Sequence, residues 1–364
     1  MNILFYLAHP AHYHLFKNVI KNLKYDNHKV FITIKKKDVL EKLLQENNES
    51  YINILKAGRK GSRFGIFKGL LLRSYRHFRI IRNNKIDLII SSSAEMGPLA
   101  KLFKVPFINV FEDDLTLFPR YSRFLGPFIS TLLVPNSCST GKWEDKTIKY
   151  NGNQELAYLH PSNFNPDISR VTKYININQK NFIIRFSKLD AWHDAGKKGL
   201  TDSLFHDIIR ILEPFGNILV TSEFEVKDEF KKYILKVPVS DIHHLLYFCD
   251  IYIGDSQTMT AEAAVLGTPA IRFNDFVGKI GYLEELEHKY KLAYGIKTNE
   301  PDKLISQIIF LLNIPDLKQE FATRRDHMLE NTIDVSEFMT WFIMNYHESV
   351  KIMKENPEFQ NRFK

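Results

Sequence analysis

Gly254-Asp255-Ser256-Gln257-Thr258-Met259-Thr260-Ala261-Glu262-Ala263-Ala264-Val265-Leu266-Gly267-Thr268-Pro269-Ala270-Ile271 decides how this chain folds. The apolar run Ile251-Tyr252-Ile253 ends in a Gly-Asp-Ser turn, small residues carry a short helix, Gly267 stops it, and Pro269 opens the next strand. The first amides of such a helix have no intrahelical acceptor and point to the carboxyl edge of the sheet, where open α/β sheets bind ligands. An anion, most simply a diphosphate, fits there. The turn at Ser256 and the amides of Gln257, Thr258 and Met259 would meet it. Glu262, about one turn in, is placed to accept hydrogen bonds from ribose hydroxyls. An ordinary capped turn, with Ser256 as N-cap and Glu262 on the surface, fits the same spacing. Asp255 would repel a diphosphate unless it points away.

Outward from this segment, strands and helices alternate, the pattern of parallel sheets with crossover helices. Strands are expected at 182–186, 217–221, 251–253, 270–273 and 292–296, and helices at 202–212, 228–233, 241–248, 258–266 and 280–290. Helices at 301–312, 317–329 and 335–353 follow, the last ending in a polar tail. The first half repeats the alternation, with strands at 2–8, 29–34, 51–55, 87–91, 107–111 and 131–134 and helices at 14–24, 39–45, 64–81 and 98–103. The polar stretch 163–179 lacks periodicity and suits a connection between domains. The 364 residues therefore divide into a domain over 1–165, a second over 180–330, and a C-terminal helix and tail over 331–364.

Three stretches carry a resemblance to a known family. They are His9-Pro10-Ala11-His12-Tyr13-His14-Leu15-Phe16, Tyr150-Asn151-Gly152-Asn153-Gln154-Glu155-Leu156-Ala157-Tyr158-Leu159-His160-Pro161, and the segment from Gly254 to Pro269. Together they resemble a GT-B-like family of bacterial and archaeal proteins known chiefly as a domain of unknown function. The last segment is also similar to the donor-nucleotide motif of GT-B glycosyltransferases, including the lipid-linked N-acetylglucosaminyltransferase of peptidoglycan synthesis, and of the non-hydrolysing UDP-N-acetylglucosamine 2-epimerases. The resemblance implies an α/β, GT-B-like fold of two Rossmann-like domains facing a cleft. It also implies a C-terminal helix that crosses back to the first domain.

Further candidates lie at other strand ends. His9, His12 and His14 follow the first strand, where an imidazole is poised to deprotonate a hydroxyl or orient a sugar phosphate. His12 matches the Gly-His position of the GT-B transferases, with Ala11 in place of the glycine; capping of the helix by His12 is the plainer reading. Arg185 ends the first strand of the second domain, where its fork can pair with phosphate oxygens, and His193 lies in the basic loop after it. Glu112-Asp113-Asp114 sets three carboxylates at one strand end, where repulsion can raise one pKa and produce a general base, with Glu112 and Asp114 as the candidates. These acids could instead cap a helix starting near Leu115. Glu112 falls where the 2-epimerases carry a Glu, but the Gly-Asp and His-Arg pairs of those enzymes are missing at Ser91-Ser92-Ser93-Ala94-Glu95 and Arg185-Phe186-Ser187. No metal site is expected: two histidine ligands are available after the first strand without a third.

Charge separates the halves. Residues 1–165 hold 25 Lys+Arg against 13 Asp+Glu, and residues 166–364 hold 25 against 29, so the net +8 combines +12 with −4. No acid lies between Glu49 and Asp87, and residues 58–81 interleave arginines with apolar side chains, as a surface docking on anionic lipid would. No helix-turn-helix, zinc-finger or RNA-binding signature supports nucleic acid as the partner. Cys138 and Cys249 are too few for a disulfide framework. The N-terminal run reads as a strand rather than a signal peptide, and no apolar run reaches the ~18 residues of a spanning helix. A cytoplasmic protein, peripheral at the inner face of the plasma membrane, is expected.

The expected function is transfer of a sugar from a nucleotide-sugar donor, UDP-linked, to a cell-surface glycan or lipid-linked precursor, with no cofactor beyond the donor. Helix amides and Arg185 supply the positive field, Glu262 the ribose contact, and His12, Glu112 or Asp114 the base. The alternatives are a nucleotide-sugar epimerase or hydrolase, and a non-catalytic membrane- or nucleic-acid-binding protein.

Overall fold

The computed structural model describes residues 1–35, 39–55, 63–117, 119–186, 201–222 and 228–364. The chain forms two compact units, residues 1–163 with 332–364, and residues 164–331.

In the first unit, seven strands form one parallel sheet: β1 (Asn2–Leu7), β2 (Lys29–Lys35), β3 (Ile52–Leu55), β4 (Leu88–Ser91), β5 (Phe107–Val110), β6 (Thr131–Pro135) and β7 (Thr147–Tyr150). Their order is β3-β2-β1-β4-β5-β6-β7. The central strands are covered on both faces, so they are near-continuous apolar runs; Ile3, Leu4, Phe5, Tyr6 and Leu7 are all wholly buried. The crossovers carry α1 (Pro10–Tyr25), α2 (Leu40–Glu46), α3 (Arg63–Asn84), α4 (Gly97–Phe103), α5 (Pro119–Leu125) and α6 (Leu156–Leu159). In α1, Tyr13, Phe16, Val19, Ile20 and Leu23 are buried at helical spacing, as the sequence pattern requires. Neither β7 nor α6 stood out in the sequence. The first is an edge strand whose Thr147-Ile148-Lys149-Tyr150 has no apolar run, and the second is a single turn, too short for helical periodicity to register.

The second unit holds β8 (Lys180–Phe186), β9 (Gly216–Ser222), β10 (Ile251–Gly254), β11 (Ala270–Phe273) and β12 (Ala293–Ile296), all parallel, in the order β12-β11-β10-β8-β9. Its helices are α7 (Asp202–Leu212), α8 (Ile242–Phe248), α9 (Gln257–Leu266), α10 (Gly281–Glu284), α11 (Pro301–Leu312) and α12 (Leu317–Glu330). The expected helix at 228–233 is a 3-10 segment, and the one at 280–290 is α10 running into a π turn over Glu285–Lys289. Strand order reverses between β1 and β4 in the first sheet and between β8 and β10 in the second. Such reversals open a crevice at the strands' carboxyl ends.

The chain then returns to the first unit. A single helix over 335–353 was expected; instead α13 (Val335–Met344) and α14 (Glu348–Glu355) are separated at Asn345, Tyr346 and His347. His347 takes a left-handed φ of 78°, the Asn345 amide donates to the Trp341 carbonyl, and the Tyr346 hydroxyl bonds Thr131 Oγ1 at 2.9 Å. A left-handed residue is incompatible with a continuous helix, and the Tyr346 bond ties the break to β6. The closing residues pack rather than trail: Phe363 lies on Phe338 and Trp341, and buried Gln360 accepts from the Asn151 amide at 2.6 Å. Among the described residues no helix is long and apolar enough to cross a membrane.

Candidate functional site

In the second sheet, Thr221, Arg185, Gly254 and Arg272 form one register row across β9, β8, β10 and β11. Arg185 and Gly254 are therefore neighbours on either side of the β8–β10 reversal. Gly254 is required there: a Cβ would stand 2.4 Å from the Arg185 carbonyl oxygen and 2.4 Å from the Tyr252 hydroxyl. The Tyr252 phenol is fully buried, which pushes its pKa up, with Arg185, Asp255 and Glu262 as the charges around it.

α9 starts directly after this turn. Ser256 is its N-cap, and its hydroxyl accepts from the Met259 amide at 3.3 Å. This corrects the expectation that the Met259 amide meets a ligand, because the cap already occupies it. Gln257 and Thr258, as N1 and N2, retain amides with no intrahelical acceptor. Gly267 closes the helix with a left-handed φ of 83°. Glu262 is neither exposed nor isolated: its Oε1 lies 3.0 Å from Nε2 of His243 on α8, and both side chains are buried. Asp255 donates its backbone amide to Arg185 and accepts from the Asn274 side chain through its carbonyl, so β8, β10 and the loop after β11 are tied together at this edge. His193 lies outside the described residues.

Beside the row, Glu284, Glu287 and His288 bring three metal-capable side chains together. The guanidinium of Arg272, 1% exposed, sits 3.1 Å from Glu284 and 3.8 Å from Glu287. These carboxylates thus already neutralise a buried cation, and burial raises the Glu287 pKa.

In the first unit, His9 rather than His12 caps α1, accepting from the Ala11 amide with Pro10 in the first helical position. His12 Nδ1 accepts from the Ala8 amide at 3.2 Å. A neutral ring bonded this way carries its proton on Nε2, which donates rather than accepts. His14 packs against Tyr158 of α6, with ring centroids 5.3 Å apart. At the facing end of β4, Glu95 receives the Tyr6 hydroxyl at 3.2 Å and lies 3.3 Å from the buried Arg73 guanidinium. Below it, His77 bonds Thr33 and is held neutral, its pKa pushed to about 3 by burial and by Arg73. Sequence reasoning missed the Tyr6–Arg73–Glu95 group, because its members are far apart in the chain. The usable signal was the β1–β4 reversal, which places the residues after β4 opposite those after β1.

The carboxylates after β5 take separate roles. Asp114 accepts from the Ser139 amide at 2.6 Å and so secures the loop after β6. Asp113 has a raised pKa from burial and, secondarily, from the Asp114 charge. The sequence anticipated one raised carboxyl without singling out Asp113. The Glu112 carbonyl accepts from Cys138 Sγ, and its side-chain charge, with that of buried Glu155, faces the wholly buried phenol of Tyr150. β5 stands two places from β1 in the sheet, with β4 between them, so Glu112 and Asp114 do not share the turn that holds His12.

On α3, Leu70, Leu71, Leu72 and Tyr75 are exposed, Tyr75 by 60% and Leu71 by 55%. Arg79 and Arg82 continue that exposed side of the helix. The part of the basic stretch from 58 to 62 lies outside the described residues.

Residues 1–312 match a protein family of unknown function, DUF354. The chain belongs to the DUF354 family. No curated protein matches this DUF354 chain in sequence. Its fold is shared more widely. A UDP-GlcNAc 2-epimerase from Neisseria meningitidis, solved bound to UDP-GlcNAc, aligns with a TM-score of 0.66 at 15% identity, covering 94% of this chain and 100% of the other. A glycosyltransferase from Rickettsia africae aligns at 0.62 and 17% identity, covering 96% and 98%. MurG from Acinetobacter baumannii aligns at 0.58 and 13%, covering 94% and 99%. The DUF354 chain therefore has the two parallel-sheet α/β domains of the GT-B class.

Proposed function

We propose that this DUF354 protein is a glycosyltransferase that moves a sugar from a UDP-linked donor to a cell-surface glycan or its lipid-linked precursor. The observation that carries the reading is the register pairing of Arg185 with Gly254 at the β8–β10 reversal, directly before the capped start of α9. Arg185 and the amides of Gln257 and Thr258 thus belong to the same sheet edge, where a diphosphate leaving group would need a guanidinium and free amides. Glu262 would take the ribose hydroxyls. His193, in the basic sequence that follows β8, would add a donor to the sugar or phosphate. The similarity to a 2-epimerase solved with UDP-GlcNAc supports a nucleotide sugar as the ligand.

His12, through Nε2–H, would donate to the sugar or acceptor rather than act as the base. Among the carboxylates after β5, Asp113 best combines a raised pKa with partial burial, so it would accept the acceptor's proton, with Glu112 beside it. Asp114 would position the loop. Helix amides and Arg185 would stabilise the departing diphosphate without requiring a metal ion or cofactor. The exposed leucines, Tyr75 and arginines of α3 would seat the protein on an anionic membrane, close to a lipid-linked acceptor.

The test is nucleotide release from UDP-N-acetylglucosamine and other UDP-sugars, with and without a lipid-linked glycan fraction. Transfer predicts UDP release that depends on the acceptor. Sugar isomerisation without acceptor would instead establish an epimerase, the activity of several proteins that share the fold.

A further inference from the structure

α9 is built almost wholly from small or apolar residues, and Ala261, Ala263, Ala264 and Val265 have no exposed surface. Glu262 is the only carboxylate in that helix. A buried carboxylate is tolerated only when paired and hydrogen-bonded, and its partner here is His243, whose Nε2 lies 3.0 Å from Oε1. The side chains are 6% and 7% exposed, so the pair is largely shielded from water.

His243 is itself held in place. Its helix α8 packs along α9, and the Phe164 ring stands edge-on to the imidazole at 6.2 Å. The neighbouring His244 accepts from the Asp167 amide at 3.0 Å and lies tilted against Phe164 with centroids 4.8 Å apart, and Thr268 after α9 donates to the Leu246 carbonyl at 2.7 Å. The imidazole is thus a short, planar donor set against Phe164, on a helix tied down at its neighbours His244 and Leu246. Lysine or arginine would neutralise Glu262 equally well, but through a longer chain with more rotamers to order. Imidazole fixes one oxygen at one distance, and with it the plane of the carboxylate.

We propose that His243 is a positioning residue: it orients Glu262 so that the site recognises the ribose hydroxyls of the nucleotide. The inference rests on the donor reading above and assigns the specificity of that site to a pair of helices rather than to Glu262 alone. Discrimination of ribose from deoxyribose then depends on a donor at the place of His243 Nε2, whereas the grip on the diphosphate does not.

The experiment measures the affinity of the full chain for UDP and for 2′-deoxy-UDP by calorimetry, in wild type, His243→Gln and His243→Asn. The Gln amide reaches the place of Nε2; the shorter Asn amide does not. Wild type should prefer UDP by about tenfold or more, the worth of a hydrogen bond to a charged group. His243→Gln should keep that preference. His243→Asn should lose it, to within about twofold, with unchanged affinity for 2′-deoxy-UDP, which reports that fold and phosphate contacts survive. Equal preference in wild type and His243→Asn would overturn the positioning role while leaving the donor site standing. Failure of wild type to bind either nucleotide would overturn the donor reading, and this inference with it.

Discussion

Gly254→Ala tests the packing that brings β8, β10 and α9 to one point. The added methyl would meet the Arg185 carbonyl oxygen and the Tyr252 hydroxyl, each at 2.4 Å, about 1 Å inside normal contact. Neither neighbour yields easily. The carbonyl belongs to the β8–β10 ladder and also accepts from the Asp255 amide, and Tyr252 is fully buried. Relief requires the two strands to part at their carboxyl ends, an overpacking cost of about 1–3 kcal/mol. For a unit of the size of residues 164–331, each kcal/mol lowers Tm by about 2–4 °C, so a fall of about 2–12 °C is expected. Parting the strands also displaces Arg185, and UDP affinity should drop about tenfold with the loss of a charged hydrogen bond. Gly278→Ala is the control. It carries a left-handed strain that Gly254 lacks, at φ 82°, while no atom lies within 4 Å of its would-be Cβ, so it reports backbone strain without overpacking. Scanning calorimetry of wild type and both variants decides the matter: a Gly254→Ala melt level with wild type, with UDP affinity intact, would refute the reasoning.

Other consequences can be measured separately. Tyr150→Phe removes a wholly buried hydroxyl that has no hydrogen-bond partner among the described residues, so Tm should stay level or rise; a loss above about 1 kcal/mol would mean the hydroxyl is bonded after all. Asp113 has a folded pKa above its unfolded one, so its share of stability is complete below the ordinary carboxylate range and is lost as pH rises through the folded value. Asp113→Asn should therefore gain Tm relative to wild type as pH increases, and a constant difference would contradict the raised pKa. If α3 docks on anionic lipid, Arg79→Glu with Arg82→Glu should weaken binding to phosphatidylglycerol vesicles by roughly 30-fold or more in a sedimentation assay, at about 1 kcal/mol per basic residue. Binding to phosphatidylglycerol vesicles unchanged by the two substitutions would remove α3 from that role.

The fold was legible where periodicity is long or punctuation is strong. Helices at 202–212 and 301–312 and the strand at 270–273 stand where the pattern put them, because caps, prolines and apolar stripes agree locally. β7 and α6 went unread because the first is an edge strand of mixed pattern, Thr147-Ile148-Lys149-Tyr150, and the second a single helical turn. The division at Asn345–His347 carries a left-handed residue, His347, and a tertiary bond from Tyr346 to β6, neither of which a local sequence rule contains. The same limit applies to the sites. The turn from Gly254 to Ser256 announces itself in sequence, and its N-cap was anticipated as one of two readings. The partner of Glu262 and the Tyr6–Arg73–Glu95 group could not be read, because strand order and helix packing bring together residues distant in the chain. Charge behaves likewise. Divided by the structural units, the first holds 29 Lys+Arg against 18 Asp+Glu and the second 21 against 24, so the asymmetry read from the halves of the sequence persists.

The most direct test of the donor site is a calorimetric titration of UDP into wild type and Arg185→Met. Met retains much of the length of the side chain but not its charge. The account predicts saturable binding by wild type, weakened about tenfold or more by the substitution. Absence of binding to wild type by UDP, or affinity unchanged by Arg185→Met, would contradict it.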